Sequence, residues 1–190
     1  MNTRPIRLVV AALVVFAASC SRGDAGTEDA ALVSAARAVA QDFAKALLAE
    51  LTTALQEKGP LGAVDVCREH APGIARTAGT QAFTVRRIGT RVRNRSTNLP
   101  TDAERAILDR FGSIPADVRQ KEFVPVRDDG HFAVYVPITI GAPLCLTCHG
   151  PVESIAPELR AHFAERYPED DTVGYALSDL RGAIVVERVR

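Results

Sequence analysis

Two cysteines and a histidine stand together late in the chain, in the run Cys145-Leu146-Thr147-Cys148-His149. Their spacing is C-x-x-C-H, which is the attachment signature of a c-type haem. Two thiols three positions apart can each add across one vinyl group of the same porphyrin, and the adjacent imidazole then becomes an axial ligand of the iron. The motif predicts one covalently attached haem c, with Cys145 and Cys148 as the attachment residues and His149 as an iron ligand.

Two other kinds of site use the same residue types. A structural zinc site would need two further ligands at matching spacing, and the sequence contains no second C-x-x-C and no H-x-x-x-H. A thioredoxin-like dithiol pair would begin a helix after a strand in a βαβ unit, and the sequence after the motif does not supply such a unit. Haem attachment is therefore the favoured interpretation.

The N-terminal residues are typical of export. Arg4 and Arg7 form a basic start, residues 6–18 are almost wholly apolar, and small residues precede Cys20. The apolar run is too short to span a bilayer as a stable helix. The segment resembles a bacterial lipoprotein signal, although Ala17 stands where leucine is usual. We predict a signal peptide over 1–19, lipidation of Cys20 and a tether over 20–28; the alternative is an ordinary signal peptide that leaves Cys20 free.

Export fits covalent haem attachment, which takes place outside the bacterial cytoplasm. The sequence therefore predicts a location on the periplasmic side of a membrane, and Ser21 after the lipidated cysteine favours the outer membrane. The 190 residues have 47% hydrophobic content, 24% charged content and zero formal net charge. These values predict one globular domain over residues 29–190, and nothing in them favours a nucleic-acid partner.

The second axial ligand of the iron has several candidates. Methionine is excluded because the only one is Met1, which leaves with the signal peptide. The remaining possibilities are an open site or one of four side chains. Cys67 is the cysteine left over after lipidation and haem attachment. The four candidates are Cys67, His70, His131 and His162.

The elements around the motif predict an α+β fold. Apolar residues recur at helical spacing from Leu32 to Leu55, which indicates a long N-terminal helix that packs on the domain or pairs with a second copy in a homodimer. Gly59 and Pro60 end it, and a second helix runs over 61–71, with Pro72 breaking or kinking it. The predicted order continues with a strand over 82–94, a helix capped by Thr101 and Glu104, a hairpin over 120–140, a helix over 155–167 and a hairpin of 173–177 with 183–189. The sheet is then largely antiparallel with flanking helices.

Five arginines crowd the first predicted strand and the residues after it. A solvated basic edge would explain them, since edge strands often carry charge. Alternatively, one or two of them bind the haem propionates through their guanidinium groups. The five are Arg86, Arg87, Arg91, Arg93 and Arg95.

Taken together, the chain resembles a family of exported single-haem c-type domains with a PAS-like fold, which occur alone or fused to sensor kinases. The resemblance covers most of the mature chain. It implies a PAS-like antiparallel sheet, and it implies that Cys67 is the second axial ligand. It rests on Val66-Cys67 with Ala71-Pro72, on Val92-Arg93-Asn94, on Pro143 to Gly150, and on Gly174-Tyr175 with Asp179 to Ala183.

These features predict a haem-binding sensor of redox state or of a small ligand. A cysteine thiolate stabilises ferric iron, and its loss on reduction would make a two-state switch that a separate signalling or redox partner protein reads. The alternative is a membrane-tethered single-haem electron-transfer protein that keeps both ligands in both states. A peroxidase would need an acid–base residue such as His131 or His70 above an open iron. Nothing in the sequence requires turnover, so we expect no enzyme activity.

Overall fold

The computed structural model describes residues 24–190; the predicted signal peptide and Cys20 lie outside the described residues. Four strands form one sheet, and seven α-helices with two short helical turns surround it within this range. The helices are α1 (Asp24–Asp65), α2 (Ala71–Ala78), α3 (Arg95–Asn98), α4 (Asp102–Ser113), α5 (Ala116–Arg119), α6 (Pro143–His149) and α7 (Pro157–Arg166), with a π-helical turn at Val66–His70 and a 3₁₀ turn at Val152–Ser154. The strands are β1 (Phe83–Gly89), β2 (Val124–Asp128), β3 (His131–Thr139) and β4 (Leu180–Arg188).

The sheet is antiparallel throughout, in the order β1-β4-β3-β2. Successive side chains of β3 and β4 point to opposite faces, and both faces are covered. On one face, Phe132, Val134, Ile184 and Val186 pack with Phe43 and its neighbours from α1. On the other face, a second core forms against α4; it contains Ala133, Tyr135, Ala183, Val185, Leu108 and Phe111. The predicted α+β fold with an antiparallel sheet and a long N-terminal helix is confirmed.

Helix α1 follows the apolar stripe that the sequence predicts, with Ala36, Val39 and Phe43 buried. It includes residues 24–28, which belong to the predicted tether. At Gly59 the backbone leaves the helical region, with φ 67° and ψ −175°, so that two helical segments meet at a kink. Over residues 24–190, none of the helices combines the length and the hydropathy that crossing a bilayer would require.

Two local predictions from the sequence are confirmed. At the start of α4, the backbone N–H of Glu104 donates to the Thr101 hydroxyl at 3.3 Å, and the N–H of Thr101 donates to the Glu104 carboxylate at 2.8 Å. This is the reciprocal capping box. Strands β2 and β3 form the predicted hairpin, and its turn uses positive φ values at Asp129 and Gly130.

Two other predictions are wrong. The second helix does not cover 61–71: α1 extends to Asp65, and Pro72 occupies the first turn of a new helix, α2, where its missing N–H costs no hydrogen bond. Residues 173–177 do not form a strand of a final hairpin. Their backbone instead bonds to the end of the C-x-x-C-H motif, through Gly174 N to Gly150 O at 2.8 Å and Tyr175 N to His149 O at 2.9 Å. The predicted first strand is also shorter, since β1 ends at Gly89.

Candidate functional site

Helix α6 carries the whole C-x-x-C-H motif. It begins at Pro143, directly after β3, and ends at His149. Residues three and four positions apart lie on the same side of an α-helix. The spacing of Cys145, Cys148 and His149 therefore places two thiols and one imidazole on one face of α6.

That face of α6 borders a cavity at one end of the sheet. The opposite wall comes from α1 and the π-helical turn, which contribute Leu47, Leu51, Leu55 and Cys67. The ends of β1 and β3 form the floor, and three arginines reach the rim. Cys67 and the three motif side chains thus line the same cavity. The three arginines that also line it are Arg87, Arg93 and Arg181.

The imidazole of His149 is held by one ring nitrogen. Its Nδ1 lies 2.9 Å from the carbonyl oxygen of Thr172, and a carbonyl only accepts, so Nδ1 carries the proton. Burial, with the nearby charges of Arg181 and Arg93, lowers the pKa of His149 to about 3, so the ring is neutral near pH 7. Its Nε2 makes no hydrogen bond within the part of the chain that the structure describes. This is the arrangement of a metal-binding histidine oriented by a backbone carbonyl.

The Thr172 carbonyl is positioned by a buried ion pair. Arg93 Nε lies 2.7 Å from Asp170 Oδ2, and the side chains are only 11% and 9% exposed. Asp170 also accepts from the backbone N–H of Thr172 at 2.9 Å and from its hydroxyl at 2.6 Å. Burial alone would raise the pKa of Asp170, but the Thr172 hydrogen bonds and the charge of Arg93 outweigh it and lower that pKa.

Arg93 also contacts the motif itself. Its Nη2 donates to the carbonyl of Cys148 at 2.9 Å, and its guanidinium lies 3.6 Å from the ring centroid of Phe163. Arg93, Asp170 and Thr172 therefore connect α6 to α7 and fix the plane of the His149 ring. From the sequence, Arg93 is only one of the five arginines in and after the first predicted strand, and Asp170 and Thr172 have no predicted role.

Cys67 lies on the π-helical turn that continues α1. In a π-turn, backbone hydrogen bonds that join residues five positions apart replace the bonds of an α-helix, which join residues four positions apart. Such turns are frequent at functional sites. The carbonyl of Cys67 accepts a hydrogen bond from Arg87 Nη2 at 3.3 Å, which fastens this turn to β1. The Cys67 side chain is partly buried and also borders a surface groove between α2 and β1.

The other candidate ligands do not line this cavity. His70 is on the same π-turn, but its Nδ1 lies 2.8 Å from Glu50 Oε1 on the exposed side of α1. His131 lies at the start of β3, and its Nε2 is 3.6 Å from Glu187 Oε1. His162 is on α7, where its Nε2 is buried without a hydrogen-bond partner in the described residues. Of the four side chains that the sequence leaves open, the structure brings Cys67 to the cavity.

The chemistry of the lining fits a haem. It offers two thiols, a neutral imidazole with a free Nε2 and a third thiol, within walls rich in leucine and isoleucine. The three thiols at 67, 145 and 148 are unpaired. Burial raises the pKa of the Cys148 thiol to about 11, whereas redox dithiols depend on lowered values. The volume is about 190 Å³, less than the roughly 300–1,000 Å³ of common ligand sites.

Comparison with known proteins gives two findings. The family model described as Tll0287-like matches residues 24–188. Among solved structures, the fold is similar to the crystal structure of the cyanobacterial heme-protein Tll0287, with a TM-score of 0.52 and 20% sequence identity. The similarity covers 84% of this chain and 93% of that chain. No protein of curated function matches.

Proposed function

Because the chain belongs to the Tll0287-like family, we propose that it is a haem protein that binds one haem c covalently through Cys145 and Cys148. His149 and Cys67 are the axial ligands. The observation that carries this proposal is that His149, whose Nδ1 is held by the Thr172 carbonyl, lines the same cavity as Cys67, Cys145 and Cys148. A haem supplies a one-electron ferric–ferrous couple when bound. The solved structure to which the fold is similar carries the description heme-protein, which supports the same assignment.

The residues around Cys67 favour a sensor of redox state or of a small ligand. A cysteine thiolate donates charge to iron and stabilises the ferric state, so reduction would favour protonation or loss of the sulfur. Cys67 lies on an irregular turn directly continuous with the 42-residue α1. A change in its position would reach α1 through the backbone alone, and a separate signalling partner could bind that helix.

A membrane-tethered electron carrier is the second candidate. Leu144, directly before the first motif cysteine, is 36% exposed, so the attachment edge of α6 lies near the surface. An apolar exposed edge suits brief docking of a redox partner. This function would require Cys67 to stay bound in both oxidation states.

The setting that we propose is the periplasmic side of a bacterial membrane, with lipidated Cys20 as the anchor and the outer membrane as the favoured location. The partner is a redox or signalling protein, and a homodimer through α1 is compatible with either role. We propose no enzymatic turnover and no nucleic-acid binding.

The experiment that tests this function compares absorption spectra of the haem-loaded protein and its Cys67→Ala variant, each oxidised, reduced, and reduced under carbon monoxide. Cys145 and Cys148 are unchanged in the variant, so both proteins should carry the haem. We expect a low-spin ferric spectrum for the wild type and carbon monoxide binding on reduction. The variant should be high-spin already in the ferric state.

His70→Ala is the matched control, because His70 lies on the same π-turn but not in the cavity, and it should behave as the wild type. A reduced wild type that stays low-spin and ignores carbon monoxide, together with a ferric change in Cys67→Ala, would support the carrier instead. A ferric spectrum unchanged by Cys67→Ala would remove Cys67 from the proposal.

A further inference from the structure

The arginines near the cavity differ in how their charge is balanced. Arg86 pairs with Glu104 and Glu187, Arg93 with Asp170, and Arg95 with Glu169. Arg87 and Arg181 have no carboxylate partner among the side chains that the structure describes. Each of these two donates instead to one backbone carbonyl, Arg87 to Cys67 at 3.3 Å and Arg181 to Arg91 at 2.8 Å.

A buried arginine elsewhere in the fold shows what full compensation looks like. Arg119 is 8% exposed and also lacks a carboxylate, but its guanidinium donates to the carbonyls of Phe111, Gly112, Ile114 and Ser178 at 2.8–3.4 Å. Three of these carbonyls lie at the negative C-terminal end of α4. Arg87 and Arg181 have one carbonyl each, with the Tyr175 ring centroid 5.5 Å from the Arg181 guanidinium, and both side chains line the cavity.

The positive charges of Arg87 and Arg181 repel one another. Burial lowers the pKa of Arg181, and the charges of Arg87 and Arg93 lower it further, against the opposing effects of Tyr175 and Cys67. Three guanidiniums thus meet beside one small cavity, and Asp170 balances only one of them. A guanidinium that is shielded from water is normally paired with an anion, so this cluster of positive charge favours the binding of an anion beside Arg87 and Arg181.

Two glycines in the strands β1 and β4 leave space for the Arg181 side chain. Gly89 of β1 and Gly182 of β4 are partners in the ladder. A Cβ at Gly89 would lie 3.0 Å from Arg181 Nη1 and 2.6 Å from the carbonyl of Arg91. A Cβ at Gly182 would lie 2.0 Å from the carbonyl of Ile88. Two facing glycines therefore let the strands approach and leave space for the Arg181 guanidinium.

We infer that Arg87 and Arg181 form an anion subsite of the cavity that binds the carboxylates of the haem propionates. A planar guanidinium fork matches a carboxylate, and two such groups match the two propionates of a single porphyrin. This inference depends on the proposed haem site. It assigns the role to one arginine of the first strand and to one of the last strand, which sequence alone does not single out.

The test uses the haem-loaded wild type, Arg87→Gln, Arg181→Gln and, as the matched control, Arg95→Gln, whose arginine lies outside the cavity and pairs with Glu169. Resonance Raman spectra report the propionate bending bands, and a redox titration reports the midpoint potential. We expect the bands to shift in Arg87→Gln and Arg181→Gln and to stay in place in the control. The midpoint potential should become more negative in the same two variants, because a positive charge beside the haem disfavours ferric iron.

Arg87→Lys and Arg181→Lys carry the test if a glutamine variant does not fold or does not retain haem. Lysine keeps the charge but loses the fork, so the bands should shift while the potential stays near the wild-type value. Haem-loaded variants with wild-type bands and potential would overturn the inference. A second outcome would also overturn it: the propionate bands stay unchanged in the variants, while acetate shifts the haem absorption of the wild type but not that of Arg181→Gln. Arg87 and Arg181 would then bind a free anion and not the propionates. A wild type without haem would instead contradict the proposed function.

Discussion

Replacing Asp170 with asparagine tests the structural account of the cavity at its most buried ion pair. The change keeps the side-chain shape and the oxygen that accepts from Thr172, but it removes the charge that balances Arg93. Arg93 is only 11% exposed. Its remaining hydrogen bond to Cys148 and its stacking on Phe163 do not supply a negative charge.

The cost of this substitution follows from the burial of the pair. Removing one partner of a buried ion pair costs about 3–5 kcal/mol. The retained Thr172 and Cys148 hydrogen bonds place Asp170→Asn at the lower end, about 3 kcal/mol. Urea unfolding of the haem-loaded protein, followed by far-UV circular dichroism, measures the loss in free energy of unfolding.

The neighbouring pair is a matched control. Glu169 and Arg95 are 74% and 45% exposed, so Glu169→Gln should cost less than about 0.5 kcal/mol. If Asp170→Asn costs no more than Glu169→Gln, the ion pair does not hold the cavity rim, and the role given to Arg93 and Asp170 is wrong.

Three further outcomes are expected from the same unfolding assay. The pKa of Asp170 is lowered in the folded state, so the contribution of its charge to stability is complete above the unfolded pKa of about 3.9 and is lost as the pH falls below that value. The difference in unfolding free energy between wild type and Asp170→Asn should therefore shrink in acid. A difference that stays constant with pH would contradict this role of the Asp170 charge. Thr101→Ala removes the α4 cap and should cost about 1 kcal/mol, whereas Thr101→Ser should restore most of it. Gly182→Ala places a Cβ 2.0 Å from the Ile88 carbonyl and should cost at least about 3 kcal/mol; a near-neutral effect would mean that β1 and β4 are not so closely paired.

Much of the fold follows from local patterns in the sequence. The α1 stripe, the Thr101 and Glu104 box and the hairpin around Gly130 are each specified by residues close in sequence, so periodicity and turn chemistry identify them. The C-x-x-C-H spacing likewise determines one helix face without any tertiary information. These elements account for the α+β class and for the position of the motif after a strand.

The errors arise where distant segments compete for the same backbone groups. Residues 173–177 have a strand-like pattern, but the carbonyls of His149 and Gly150 take their N–H groups. Pro72 looks like a helix breaker until the π-turn before it lets a new helix begin there. The roles of Thr172, Asp170 and Arg181 depend on contacts across the fold, and no spacing rule in the sequence reveals them.

The most direct test of the central claim is mass spectrometry of the protein produced together with haem-attachment machinery. We predict that the intact chain carries one haem, that the haem survives acid–organic extraction, and that it resides on the peptide containing Cys145, Cys148 and His149. A chain without haem, or a haem that extraction removes from a peptide with two free thiols, would contradict the account.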